Sequence, residues 1–155
     1  MSRRLLAVAT LAVVAAACGG GSTSTATAPA ITDTSDIHIF AASVEAAPAD
    51  GGVAQVVAEL HNASDAKDAL VSVSCNCGGT ATLFEPGASK PAASIALPSQ
   101  KVVLFGPRGA RIELSGLAQP LSVGSSVTLT FSFQNATPAS ATAAVQPPGS
   151  PSSAT

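Results

Sequence analysis

The strongest constraint on the fold is a strict alternation of apolar and polar residues within short segments. Side chains of a strand point to opposite faces with a period of two, so such alternation predicts a strand with one buried face. Residues 127–134 show it most clearly, with apolar side chains at Val127, Leu129, Phe131 and Phe133. Residues 53–61 repeat it, with one face formed by Ala54, Val56, Ala58 and Leu60 and the other by Gln55, Glu59 and His61.

Further short segments of this kind follow one another along the chain. We predict strands around Ile37 and Ile39 and at residues 53–61, 70–75, 80–85, 94–97, 102–105, 111–115, 127–134 and 142–145. Gly, Pro, Asn and Asp lie between them, and nothing between residues 36 and 146 keeps a helical period for ten residues. Short strands separated by turn residues indicate an all-β antiparallel sandwich or barrel, although the many alanines alone would favour helix.

The amino terminus has the features of a secretion signal. Arg3 and Arg4 precede an apolar run at residues 5–17, which Cys18 follows after three alanines. A membrane span needs about 20 apolar residues, so residues 1–17 read as a signal peptide. The run resembles the bacterial lipobox, with Ala15 where Leu is commonest, and Cys18 is then the lipidated residue. Ordinary signal cleavage nearby is the alternative, and either route places the domain outside the cytoplasm.

The lipid anchor predicts attachment at the extracytoplasmic face of the cell membrane. Two or three acyl chains hold a protein to a bilayer stably, whereas one does not. Residues 18–35 are rich in Gly, Ser, Thr, Ala and Pro, which predicts a flexible linker with a reach on the order of 20 Å. The globular domain is predicted at residues 36–146, and residues 147–155 read as a disordered Pro- and Ser-rich tail.

Charge and aromatic content exclude several classes of partner. The chain carries 7 basic and 9 acidic residues, without a cluster of Lys and Arg, and it has neither Trp nor Tyr. Phosphate binding depends on clustered basic residues, and base stacking depends on aromatic platforms, so nucleic acid is not an expected partner. Nor does any Ser, Cys or carboxylate have an identifiable acid or base partner in sequence, so we do not expect an enzyme. An envelope protein or the cell wall remains as the expected partner.

Three pieces of the chain resemble one known family. They are residues 58–63 (AELHNA), residues 70–85 and residues 109–133, which contain RIELSGLAQPL and the long alternating strand. In order and spacing they resemble the PCu(A)C family of periplasmic copper chaperones, including its lipid-anchored actinobacterial members. The resemblance implies a cupredoxin-like antiparallel β-sandwich.

The copper site implied by this resemblance consists of a His, a Met and a later His-x-Met pair. Phe84 stands at the position of the first His, and Arg111 and Glu113 stand at the His-x-Met pair. The other ligand has no counterpart, and Met1, the single methionine, leaves with the signal peptide. Cu(I) is selected by soft thioether and imidazole ligands. We therefore expect that this chain has lost the family's copper site and that no cofactor is bound there.

Cys75 and Cys77 are the remaining candidates for chemistry. A disulfide, two free thiols and a Cu(I) site are all open, because thiolates are soft ligands and alternate strand positions point the same way. His61 and His38 are possible helpers, although each reads first as a solvated histidine. Two functions follow: a non-catalytic binding or structural module of the cell envelope, or a Cu(I)-binding metallochaperone that uses the two cysteines.

Overall fold

The computed structural model describes residues 36–47 and 52–149. The predicted signal peptide, Cys18, the whole predicted linker and residues 150–155 of the tail lie outside these residues. The described part contains nine strands: β1 (Ile37–Glu45), β2 (Ala54–Asn62), β3 (Asp68–Cys75), β4 (Thr80–Phe84), β5 (Ile95–Leu97), β6 (Lys101–Phe105), β7 (Arg111–Ser115), β8 (Ser126–Phe133) and β9 (Ala139–Gln146). The all-β prediction is confirmed, and every predicted segment corresponds to one of these strands.

β1 and β9 extend furthest beyond the ranges that the sequence predicted. β1 continues beyond Ile39 to Glu45, and β9 begins at Ala139, three residues before the predicted start. Both extensions are rich in alanine, and in β1 the neighbouring residues Ala41 and Ala42 are both buried. Because small side chains can be buried on both faces of a strand, the β1 extension lacks the alternation that reveals a strand in sequence. The β9 extension does alternate, but its buried positions are alanines, which are not typical of strands.

The strands form one nearly closed sheet. Its order is β4-β7-β2-β1-β9-β8-β3-β5, and β6 adds to β2 beside β7. One edge of β2 therefore has two partners, with β7 on Ala54–Val56 and β6 on Ala58–Asn62. All pairs are antiparallel except β1 and β9, which run parallel from Ser43 to Glu45. The predicted antiparallel architecture is confirmed as a mostly antiparallel sheet. The parallel contact of β1 with β9 was not predicted, because alternation within a strand carries no information about the direction of its neighbour.

Burial follows the predicted faces. The apolar residues of β2 and of β8 that alternate in sequence are all buried. The largest fully buried side chains include Phe105, Phe131, Leu60, Ile112 and Leu129. Burying a side chain of this size contributes about 1.5 to 3 kcal/mol, so the interior of the closed sheet is the main source of stability.

Polar side chains hydrogen-bond the loop between β2 and β3 to its neighbours. Asn62, fully buried, donates from Nδ2 to the carbonyls of Ala66 (2.8 Å) and Leu97 (2.9 Å), and its Oδ1 accepts hydrogen bonds from the backbone and hydroxyl of Ser64. Asp68, at the start of β3, accepts hydrogen bonds from the turn between β8 and β9. These bonds connect loops at one end of the sheet.

Where the structure describes the chain, it contains no helix of the length and apolarity that a bilayer crossing requires.

Candidate functional site

Pairing of β4 with β7 brings together the three residues that the sequence resemblance aligned with copper ligands. Phe84 is the cross-strand partner of Arg111, and Thr82 is the partner of Glu113. Arg111 and Glu113 alternate with the buried residues Ile112 and Leu114, so both side chains emerge on the same face of β7. We call Phe84, Arg111 and Glu113 the β4–β7 cluster.

Arg111 is the centre of this cluster. Its guanidinium carbon lies 4.8 Å from the centroid of the Phe84 ring, within the range of a cation–π contact. One terminal nitrogen, Nη2, donates to the Ala88 carbonyl at 2.7 Å, and Nη1 lies 4.0 Å from Oε1 of Glu113. The Arg111 side chain is 34% exposed and that of Glu113 26% exposed, so the ion pair contributes at most about 1 kcal/mol. These contacts hold the guanidinium over the ring.

The cluster does not have the chemistry of a copper site. Arginine keeps its positive charge at every accessible pH and has no lone pair to donate, and a phenyl ring offers no ligand atom. Arg111 Nε is also buried without a hydrogen-bond partner among the described residues, so its N–H points toward protein and not toward an acceptor. A cation placed here would face a fixed positive charge. The residues present therefore do not fit the copper ion that the fold resemblance implies.

The two cysteines form a disulfide at the exit of β3. Cys75 and Cys77 have Cα atoms 5.1 Å apart, within the usual range for a disulfide. The chain curls there through Gly78 and Gly79, whose φ angles are +75° and +91°. The Gly78 amide donates to the Cys75 carbonyl at 3.2 Å, and Cys77 is buried. In this form neither sulfur is a thiolate, so the pair offers no Cu(I) ligand until it is reduced.

Residues 75–79, which we call the cysteine turn, and the Phe84–Arg111 pair of the β4–β7 cluster lie at opposite ends of the paired strands β4 and β7. Thr80 pairs with Ser115 next to the cysteine turn, and Phe84 pairs with Arg111 four residues further along β4. At about 3.4 Å per residue, the Thr80–Ser115 pair and the Phe84–Arg111 pair are roughly 14 Å apart. Residues of one site therefore do not complete a metal site at the other.

His38 and His61, the two histidines of the chain, are cross-strand partners on β1 and β2. Their ring centroids lie 6.1 Å apart with the planes inclined by 29°, and the Phe40 ring centroid lies 5.9 Å from that of His61. The sequence did not predict this pairing, because the register between strands cannot be read from alternation. In the part of the chain that the structure describes, no group of three or more His, Cys, Asp or Glu is placed to hold a metal ion. Neither histidine therefore completes a site with the cysteines there.

An apolar outer face was also missed. Phe40 (52% exposed), Val102 and Leu104 project from β1 and β6, on either side of β2. Phe40 falls in a β-bulge between Ile39 and Ala41, within the alanine-rich extension that the sequence pattern did not identify. Residues 102–105 are all apolar, so the sequence did not indicate which of the two faces of β6 would meet solvent.

Solved structures with the PCuAC architecture share this fold. The apo PCuAC domain from PmoF1 superposes with a TM-score of 0.68 at 27% sequence identity, over 77% of this chain and 100% of that domain. For the copper-bound PCuAC domain from PmoF2 the TM-score is 0.67 at 23% identity, over 77% of this chain and 99% of that domain. At 23% identity the likeness concerns the fold alone. The chain is thus a β domain of the PCuAC type, as the sequence resemblance implied.

The family itself is defined by sequence. Residues 37–145 match a family model described as "Putative lipoprotein LpqE-like", and the chain belongs to this LpqE-like family. The matched residues include all nine described strands except Gln146, the last residue of β9. A comparison with curated proteins found no match.

Proposed function

We propose that this protein is a lipid-anchored lipoprotein of the cell envelope whose PCuAC-like domain is a non-catalytic binding or structural module. The observation that carries the proposal is the Arg111 guanidinium held over the Phe84 ring, at positions where the family resemblance implies copper ligands. A cation–π contact, a hydrogen bond to Ala88 and an ion pair with Glu113 all stabilise a positive charge there. Such a site repels a metal cation.

The anchor is the second part of the proposal. Membership of the LpqE-like family supports lipidation, and Cys18 follows three alanines at the end of an apolar run. In the proposed organisation residues 1–17 are removed, Cys18 carries acyl chains, residues 18–35 form the linker, residues 36–146 the domain and residues 147–155 the tail. Metabolic labelling with a fatty acid tests it. Label that is lost in Cys18→Ser supports the anchor, and label that persists in that variant contradicts it.

The proposed partner is an envelope protein or the cell wall, which the anchored domain meets outside the membrane. The formal net charge of the chain is −2, and its Lys and Arg residues do not form a cluster. Electrostatics therefore does not favour nucleic acid. The fold belongs with a chaperone-like class that is not catalytic, which agrees with the absence of an acid–base pattern in the sequence.

A second candidate function uses the cysteine pair. The disulfide shows that both sulfurs can reach a common position, so after reduction they could hold one Cu(I) ion as two soft thiolate ligands. Under this alternative the protein is a Cu(I)-binding envelope metallochaperone that uses Cys75 and Cys77. It requires a reductant in the envelope, and the disulfide form does not bind.

A Cu(I) titration against a competing chelator separates the two functions. The native protein is titrated anaerobically, first with its disulfide intact and then after reduction. The module proposal expects no stoichiometric Cu(I) retention in either state. Retention after reduction that is lost in Cys75→Ser and Cys77→Ser, but kept in the matched control Ser74→Ala on the exposed face of β3, supports the metallochaperone instead.

A further inference from the structure

The two histidines of this chain lie directly opposite each other on adjacent strands. His38 of β1 pairs with His61 of β2, and neither is part of the β4–β7 cluster or of the cysteine turn. We propose that His38 and His61 form a two-histidine site for a divalent transition-metal ion, with Cu(II) bound most tightly. The proposal goes beyond the module function and does not depend on it.

Geometry supports a shared ion. A metal bound to one imidazole nitrogen at about 2.0 to 2.1 Å lies roughly 3.2 Å from the centroid of that ring, so two rings that share an ion have centroids up to about 6.4 Å apart. The observed separation of 6.1 Å falls within this limit. In the structure the two rings are stacked with their planes inclined by 29°, so a shared ion requires both side chains to rotate until one nitrogen of each ring faces the ion.

The surroundings favour a cation and keep the site accessible. Glu59 lies two residues before His61 on the same outward face of β2, which brings a negative charge close to the pair. Phe40 packs against both rings, with centroid distances of 6.2 Å to His38 and 5.9 Å to His61. Both histidines are partly exposed, so water can fill the remaining coordination positions.

Donor chemistry selects the class of metal. Neutral imidazole suits Cu(II), Ni(II) and Zn(II), and the affinity of nitrogen sites for divalent ions rises along the series to Cu(II). Two imidazoles without a thiolate or thioether provide no preference for Cu(I). The proposed site therefore differs in ion, ligands and location from the copper position that the fold resemblance implies. Along β2, His61 is five residues from Val56, whose partner Ile112 adjoins Arg111, a distance of about 17 Å.

The test is a Cu(II) titration of the purified, untagged protein with its disulfide intact. Calorimetry measures the affinity and stoichiometry, and electron paramagnetic resonance identifies the ligand atoms. We expect about one Cu(II) per chain and hyperfine coupling from two imidazole nitrogens. His38→Gln and His61→Gln each replace imidazole by a neutral polar side chain, and each should weaken binding by at least about tenfold. Leu104→Ala, an exposed change on β6, is the matched control and should bind as the native protein does.

Three results would overturn the proposal: no Cu(II) binding, an affinity that both glutamine variants leave unchanged, or a spectrum without imidazole nitrogen coupling in the native protein. The last measurement needs no variant, so it decides the question even if a substitution prevents folding. Since this titration uses Cu(II) and oxidised cysteines, its failure leaves the module function and its Cu(I) test untouched.

Discussion

Asp68 provides a sharp test of how the loops at one end of the sheet are held. Its carboxylate accepts hydrogen bonds from the backbone amides of Ala69 (2.7 Å), Asn135 (3.0 Å) and Ala136 (2.8 Å). Through them it joins the start of β3 to the turn between β8 and β9. Partial burial raises the pKa of Asp68, but these hydrogen bonds outweigh it and hold the pKa below its ordinary value of 3.8.

The expected cost of removing this carboxylate follows from those bonds. A hydrogen bond to a charged group contributes about 1.5 to 3 kcal/mol at most, and water can replace the exposed bond to Asn135. We therefore expect Asp68→Ala to lower the free energy of unfolding at pH 7 by about 2 kcal/mol. Asp68→Asn keeps one acceptor oxygen without its charge, so its loss should be about 1 kcal/mol.

The pH dependence has a definite sign. Because the folded pKa is lowered, the carboxylate's contribution is fully present above its unfolded pKa and is lost as the pH falls through the folded pKa. Once Asp68 is protonated, the native protein and Asp68→Asn carry equally neutral side chains. The stability gap between them should therefore narrow as the pH is lowered from 7 to about 2.5.

Urea denaturation, monitored by far-ultraviolet circular dichroism, measures these differences in the free energy of unfolding. Fluorescence is not used because the chain lacks Trp and Tyr. Asp65→Asn is the matched control, because it removes the same charge from an exposed residue of the neighbouring loop. It should change stability by no more than about 0.5 kcal/mol. Equal stability of Asp68→Asn and Asp65→Asn at pH 7 would contradict this role of Asp68. So would a difference in free energy of unfolding between Asp68→Asn and the native protein that stays constant on acidification.

Three further predictions concern stability and use the same denaturation assay. Asn62→Ala should cost about 2 to 4 kcal/mol because it removes the side-chain donor to the buried Leu97 carbonyl and the acceptor of the Ser64 amide and hydroxyl, and a loss below about 1 kcal/mol would contradict this. Gly79→Ala should destabilise the fold by about 2 kcal/mol or more, because φ is +91° and an added Cβ would lie 2.5 Å from the Ser115 carbonyl oxygen. An unchanged urea midpoint would show that this turn relaxes freely. Reduction of the Cys75–Cys77 disulfide should cost no more than about 2 kcal/mol, since so short a loop restricts the unfolded chain little, and global unfolding on reduction would disprove that account.

Much of the fold was predictable because alternation is a local property of a strand. The faces of β2 and β8 follow directly from residues such as Leu60 and Phe131, whose apolar neighbours recur every second position. Pairing is not local. The parallel contact of β1 with β9 joins residues about a hundred positions apart, and nothing within either strand specifies its partner or direction.

For the candidate sites, the sequence likewise identified individual residues but not which of them lie together. The family resemblance identified Phe84, Arg111 and Glu113, but only the register of β4 against β7 places the guanidinium over the ring. His38 and His61 were each visible as residues on outward faces, yet their opposition depends on the register of β1 against β2. A bulge next to Phe40 shifts that register by one residue, and no sequence pattern marked it.

The most direct test of the central claim is a Cu(I) titration of the native protein beside the triple variant Phe84→His, Arg111→His, Glu113→Met, both with the disulfide intact. The variant restores the ligand types that the fold resemblance implies and removes the cation. We expect that the native protein retains no Cu(I) against a competing chelator and that the folded variant retains about one ion per chain. Stoichiometric retention by the native protein, or none by a variant with native circular dichroism, would contradict it.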